Sequence, residues 1–231
     1  MFTLLVQTNY ALFAKINGLA GRWSLLDGTM VFCADILVFL WPLLMLLLWG
    51  RPRSWRKRPL RPGEAAIIQE CRAIVIWIAA ACLLAYFFNL FIEHIVFEPR
   101  PFITHHVHML IKHAADASFP SDHSAWSFAV LGMLLFSLPS VLLSAWDQRV
   151  VAQDAETRRT FLFPLVLMGI AIVMACSIAL ARVFVGVHYP GDVIGGAVSG
   201  LLAAKVVTQI RSLLSKPTQA LIQFAQRLHL A

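Results

Sequence analysis

Five stretches of about 20 apolar residues dictate the environment of this chain: Met30–Trp49, Ala73–Glu93, Ser124–Leu143, Phe163–Ala181, and Val193–Lys205 with its continuation toward Ile210. A run of that length matches the hydrocarbon core of a bilayer. Lipid offers no partner for a backbone N–H or C=O, so each run must satisfy its own and reads as a helix. Composition agrees, with 59% hydrophobic and 13% charged residues against roughly 45–50% and about 25% in soluble domains. The expected fold is an all-α polytopic membrane bundle, one domain over residues 1–231, with five crossing helices. Residues 1–20 mix apolar positions with Gln7, Thr8, Asn9, Lys15 and Asn17, a pattern suited to a helix lying in the interface; if they crossed instead, they would be a sixth span.

The formal net charge of +7 does not mark a nucleic-acid binder. Six basic residues, Arg51, Arg53, Arg56, Lys57, Arg58 and Arg61, crowd one connection between apolar runs, and only Trp55 is there to stack on a base. Such a cluster marks the cytoplasmic side. Alternation then turns residues 98–123 and 182–192 outward, and residues 146–161 and the C-terminus inward. Beyond Pro217, the apolar positions Leu221, Ile222, Phe224, Ala225 and Leu228 suggest a second interfacial helix. Cys33, Cys71, Cys82 and Cys176 lie in or beside apolar runs without a CxxC, so they read as packing residues and not as a disulfide or zinc framework. No basic n-region with a small-residue cleavage site opens the chain, and the first span is expected to direct insertion itself.

The two outward segments hold the polar clusters. Residues 98–124 read EPRPFITHHVHMLIKHAADASFPSDHS, and residues 182–192 place Arg182, His188 and Asp192 in one turn and helix start. Three blocks in order, Arg100-Pro101, then Pro120-Ser121-Asp122-His123, then Arg182-x5-His188-x3-Asp192, resemble the type 2 phosphatidic acid phosphatase superfamily. The fuller stretches FEPRPF, HAADASFPSDHS and GVHYPGD resemble its bacitracin-resistance type of undecaprenyl-pyrophosphate phosphatase more closely. The resemblance covers residues 95 to 196 and reaches the flanking helices only through hydropathy.

Phosphoryl-transfer chemistry accounts for the same residue types. A charge-spread phosphoryl group needs cations and helix-terminal N–H groups around its oxygens, an in-line nucleophile and an acid for the leaving group. Arg100 and Arg182 offer planar forks. Ser121 and Asp122 open a helix where hydroxyl and N–H groups can cradle an anion. His188 is the expected nucleophile, with Asp192 holding one ring nitrogen, and the resemblance implies the same role. His123 is the expected general acid. His105, His106, His108 and His113 match no block and read as surface or supporting residues. A zinc site could use His106-x-His108 with Asp116, Asp122 and Asp192, but the spacing does not favour it. The resembled superfamily works without a metal, so neither metal nor cofactor is expected.

Two departures stand out. The superfamily's first block begins with Lys seven residues before the Arg, where this chain has Glu93, and the usual Pro-Ser-Gly-His is Pro-Ser-Asp-His, a form that the bacitracin type shares. Glu93 is expected to orient Arg100, Arg182 or Lys112, or to be held protonated by its apolar surroundings, with Lys112 a candidate substitute for the missing charge. Asp35, and the Asn89–Glu93 stripe on the second span, either line the floor of the site or bond helix to helix. Gly196-x3-Gly200-x3-Ala204 reads as a packing face. The resemblance implies hydrolysis of a polyprenyl pyrophosphate lipid, undecaprenyl pyrophosphate first, from the outer side of a bacterial plasma membrane. Phosphatidate, phosphatidylglycerophosphate and lipid A are the alternatives within that class. A lipid transporter, which would call for interrupted helices in repeated halves, is the alternative outside it.

Overall fold

A computed structural model describes residues 2–50, 62–146 and 155–228. The basic segment 51–61 and the inward connection 147–154 lie outside them. The described chain is helical almost throughout, in the order α1 (Phe2–Asn17), α2 (Ser24–Trp49), α3 (Pro62–Ile95), α4 (Pro101–Thr104), α5 (Asp122–Trp146), α6 (Ala155–Phe184), α7 (Pro190–Gln209) and α8 (Arg211–Arg227). The one β contact among the described residues is an isolated antiparallel bridge between Pro99 and Ala117.

By length and composition, four helices among the described residues can cross a membrane: α2, Glu64–Ile95 within α3, Leu162–Phe184 within α6, and α7. The third expected span, Ser124–Leu143, falls in α5, which has 25 residues but opens on Asp122, His123 and Ser124. Helix α3 is longer than expected, 34 residues or about 51 Å at 1.5 Å per residue, so it overhangs the hydrocarbon layer.

Helix α2 changes register on its way. Phe32–Ile36 is π-helical and Leu37–Leu40 is 3-10, after which Trp41–Trp49 resumes as α-helix with Pro42 in its first turn. Proline has no N–H to give the preceding turn and its ring crowds the carbonyl four residues back, so the change of register coincides with its natural cause. Further along the chain, α8 begins at Arg211 and contains Pro217, where a helix beginning after that proline was expected. The break comes at Ile210, and Trp77 Nε1 on α3 donates to Thr218 Oγ1 at 3.1 Å, docking α8 on the bundle.

Helix α5 forms the centre, packed chiefly against α7 and α3 and also against α6. Glycine sets the α5–α7 distance. A Cβ on Gly196 would lie 2.2 Å from Ser121 O, and one on Gly200 would lie 2.2 Å from Ala125 O. With no hydrophobic force drawing helices together in lipid, close backbone approach of this kind is what holds such a pair. The first turns of α5 and α7 are thereby brought side by side.

Candidate active site

Arg100 ends the extended segment after α3 and precedes Pro101, which keeps it out of helical geometry (φ −64°, ψ 153°). Its position is fixed by the Pro99–Ala117 bridge and by Ser118 N donating to Glu98 O at 2.8 Å. The guanidinium is 5% exposed. Its Nε donates to Asp116 Oδ1 at 2.7 Å and its Nη1 to Val187 O at 3.0 Å, and the same Nη1 lies 3.1 Å from His188 Nε2.

Arg182, in the last turn of α6, is 1% exposed. Its Nη1 donates to Ala34 O at 3.3 Å, in the π-helical turn of α2, and its Nη2 lies 3.5 Å from His188 Nε2. The chain then reverses through Gly186 at φ +88°, a conformation that glycine adopts without strain. His188 N and Val187 N both return to Arg182 O at 3.3 Å. Two guanidiniums thus converge on one imidazole nitrogen.

The other nitrogen of His188, Nδ1, lies 2.9 Å from Ser118 O. A carbonyl only accepts, so Nδ1 carries the hydrogen and Nε2 keeps its lone pair toward the two arginines. Burial, then the charges of Arg182 and Arg100, hold the imidazole well below its usual pKa, so the ring is neutral. Asp192 supports this arrangement less directly than expected. Its Oδ2 accepts from Ser118 Oγ and, at 2.7 Å, from Tyr189 N at the start of α7, while His188 Nδ1 stands 3.5 Å away. The carboxylate at the third helical position caps α7, and Ser118 stands between it and the histidine.

Ser121 is fully buried, its N donating to Asp192 O at 3.0 Å. Ser121 Oγ and Arg182 Nε are buried polar atoms with no hydrogen-bond partner in the protein. Asp122 Oδ1 accepts from Asn89 Nδ2 at 2.7 Å, so the Asn89 expectation resolves as a helix-to-helix bond between α3 and α5. His123 is half-buried, its ring 6.5 Å from that of Trp126, and it shares an electrostatic neighbourhood with Arg182, His188, His113 and Arg100.

The expected roles of Glu93 and Lys112 fall differently. Asp116, 60% exposed, is the carboxylate bonded to Arg100. Burial alone would raise its pKa, but the Arg100 hydrogen bond and charge outweigh it and hold the group low. Glu93 is half-buried and acts on Arg100 through charge, without a bond to it, because the loop brings Asp116 closer. Lys112 is exposed and joins no hydrogen bond or ion pair among the described residues. Asp35 is exposed on α2 and acts on Arg182 only by charge.

Several participants escaped the sequence reading. Ser118 and Asp116 lie in the HAADAS stretch just before the second block, and that neighbourhood was the available signal. His113, read as a surface or supporting residue, falls on the supporting side: its ring centroid is 6.3 Å from that of His188 and its Nδ1 is 3.8 Å from Asp116 Oδ1. Burial, then Arg100, lowers its pKa. Helix α1 holds both loops from the side. Asn17 Nδ2 donates to His108 O and Phe184 O and its Oδ1 accepts from His108 N, while Asn9 Oδ1 accepts from Gly191 N at 2.8 Å.

An arrangement of this kind can bind a tetrahedral anion between Arg100, Arg182 and Ser121 and present a neutral imidazole nitrogen to its central atom. Comparison with known proteins points the same way. Residues 74–216 match the PAP2 superfamily. The chain is 34% identical over 196 residues to undecaprenyl-diphosphatase BcrC of Bacillus subtilis (strain 168), covering 84% of this chain and 79% of that protein. It is 28% identical to the putative undecaprenyl-diphosphatase YbjG of Escherichia coli (strain K12), covering 89% and 85%. It is also 26% identical to a Bacillus licheniformis protein named bacitracin transport permease protein BcrC, covering 87% and 79%. Among solved structures, Aquifex aeolicus LpxE superposes with a TM-score of 0.56 at 22% identity, over 87% of this chain and 95% of that one. The transmembrane PAP2-type phosphatidylglycerolphosphate phosphatase of Bacillus subtilis gives 0.55 at 19%, over 91% and 88%. At that identity, the two structures speak to the fold.

Proposed function

The chain belongs to the PAP2 superfamily, and from that premise we propose that it is a membrane phosphatase that converts undecaprenyl pyrophosphate into undecaprenyl phosphate and inorganic phosphate. The observation that carries the reading is the convergence of two buried guanidiniums on the unprotonated Nε2 of His188, at 3.1 and 3.5 Å. Like charges brought together in a buried site repel one another unless an anion sits between them. A phosphate supplies that anion and accepts both forks as well as the unpaired Arg182 Nε and Ser121 Oγ.

In the proposed reaction, His188 Nε2 attacks the terminal phosphorus in line, forming a P–N bond as the P–O bond to the bridging oxygen breaks. The electron pair leaves with the lipid phosphate, and His123 gives that oxygen its proton. His123 then takes a proton from water, whose oxygen attacks the phosphohistidine, releasing inorganic phosphate and restoring the imidazole. Arg100 and Arg182 follow the charge on the transferring group throughout. None of these steps reads the lipid tail. The preference for a polyprenyl pyrophosphate rests on the FEPRPF, HAADASFPSDHS and GVHYPGD stretches and on the 34% identity with the Bacillus subtilis enzyme. On this reading the protein recycles a cell-wall lipid carrier at the outer face of the plasma membrane and protects against bacitracin.

The test is phosphate release from undecaprenyl pyrophosphate by the purified protein in detergent with a chelator present. Release is the expected result. Hydrolysis of phosphatidate, phosphatidylglycerophosphate or lipid A without hydrolysis of the pyrophosphate lipid would move the assignment to one of those substrates. Transport without phosphate release would favour the permease named among the relatives.

A further inference from the structure

Resting on the phosphatase reading above, we propose that the exposed line of rings Trp126, Tyr86 and Phe87, along the edge between α5 and α3, is the track on which the polyprenyl tail of the substrate leaves the active site. In the proposed reaction the leaving oxygen carries the tail, and His123 gives that oxygen its proton. The tail therefore begins within hydrogen-bonding reach of His123. What surrounds His123 decides where it goes.

Most directions around the start of α5 are closed. Ser124, Ala125 and Ser127 are fully buried, and Trp41 Nε1 on α2 donates to Ser127 Oγ at 3.1 Å. Toward α7, the backbone contacts at Gly196 and Gly200 leave no room even for a methyl group. The side left open bears Trp126, whose ring lies 6.5 Å from that of His123 with 30° between the planes. Tyr86 on α3 brings its ring to 6.4 Å from Trp126, and Phe87 lies 6.2 Å from Tyr86. All three rings are exposed, and so are Leu83 and Leu90, one turn to either side of them on α3. The line thus starts at the proton donor and ends on an apolar surface. Its occupant must change character in the same order, phosphate first and hydrocarbon after. Flat ring faces suit the planar, methyl-bearing double bonds of isoprene units. The α3 stretch from Cys82 to Leu90 has no charged residue, so nothing on it would hold a head group.

The experiment compares kcat and KM for undecaprenyl pyrophosphate in detergent micelles among wild type, Trp126→Ala, Tyr86→Ala and, as a control, Phe39→Ala. Tail contacts are alike before and in the transition state, so losing one acts on KM. Trp126→Ala and Tyr86→Ala should each raise KM about 10-fold, the effect of removing one large apolar contact, with kcat moving less. Phe39 is exposed on α2, away from the rings, and its loss should leave KM within about twofold of wild type. In parallel, an undecaprenyl pyrophosphate analogue with a diazirine in the isoprene unit nearest the phosphate should cross-link to Trp126 or to residues 82–90, and unlabelled substrate should suppress the label. Unchanged KM in both ring variants, or a cross-link confined to other helices, would overturn the proposal and leave the rings as membrane-surface anchors. If Trp126→Ala does not fold, Tyr86→Ala and the cross-link decide. Should undecaprenyl pyrophosphate prove not to be a substrate, the same variants and a diazirine on the tail of whichever phosphate lipid is turned over test the track separately from the substrate assignment.

Discussion

The nitrogen that would attack phosphorus is selected by a backbone carbonyl. Because Ser118 O takes the Nδ1 hydrogen of His188, Nε2 keeps its lone pair on the side of the two arginines. Asp192 acts one step back, through Ser118 Oγ and the Tyr189 N–H. The two supporting side chains should therefore differ in effect. His188→Ala is expected to abolish turnover. Asp192→Asn should cost several powers of ten, about what loss of a residue that orients a catalytic imidazole costs elsewhere, because the amide brings no negative charge to the imidazolium side of the reaction. Ser118→Ala should cost only about 10-fold, since the carbonyl that sets the tautomer remains. Initial rates at saturating lipid, with circular dichroism as the check on folding, measure the series. A Ser118→Ala loss as deep as that of Asp192→Asn would place the hydroxyl, and not the carbonyl, in control of the ring. These two residues also mark the reach of the sequence. His188, Asp192, Arg100 and Arg182 were legible because side-chain chemistry at fixed spacing has few alternative uses. The part played by Ser118 was not, because a main-chain carbonyl belongs to every residue type. Asp116 was likewise passed over in favour of Glu93, since the path of the loop, and not the spacing along the chain, decides which carboxylate meets Arg100.

Helices α5 and α7 begin where the second and third blocks end, and their separation is set by what is missing from Gly196 and Gly200. An added Cβ would lie 2.2 Å from Ser121 O or Ala125 O, both backbone atoms that cannot swing aside. Gly196→Ala and Gly200→Ala should each lower stability by about 1–3 kcal/mol, the usual cost of overpacking a tight interface. Gly196→Ala should in addition depress turnover, since the atom it displaces belongs to Ser121. Gly169 on α6 provides the contrast. Nothing lies within 4 Å of its added Cβ, and Gly169→Ala should be neutral or slightly stabilising by helix propensity. Thermal melting in detergent distinguishes the two classes. A Gly200→Ala protein melting with wild type would mean that the helices can part at little cost. The small-residue face was legible from its four-residue spacing, as were the apolar spans. The overhang of α3 and the change of register in α2 were harder to see, because hydropathy reports where a segment is greasy and not where its hydrogen bonds shift partner.

For the molecule as a whole, the basic segment 51–61 and the expected outward placement of residues 98–123 and 182–192 make one claim about sidedness. A cysteine introduced at Ser54 should react with an impermeant maleimide only after the membrane is opened, and one at His106, which is exposed on the loop between α4 and α5, should react from outside. The reverse pattern would turn the chemistry toward the cytoplasm and remove the recycling role. The five-fold alternation behind this expectation counts α5 as a crossing helix, although its polar first turn keeps it apart from the four that qualify by composition. Helix α1 was legible as a surface helix, but the asparagines that suggested so face inward. Asn9 is bonded to the first turn of α7, and Asn17 to His108 and to the end of α6. That attachment governs how the protein can be handled in the laboratory. An affinity tag or fluorescent fusion placed ahead of Phe2 would pull on a helix that is bonded to both loops. The other end of the chain leaves through α8, docked by Thr218 on Trp77 of α3, away from those loops, and is the better place to hold the enzyme for purification or imaging.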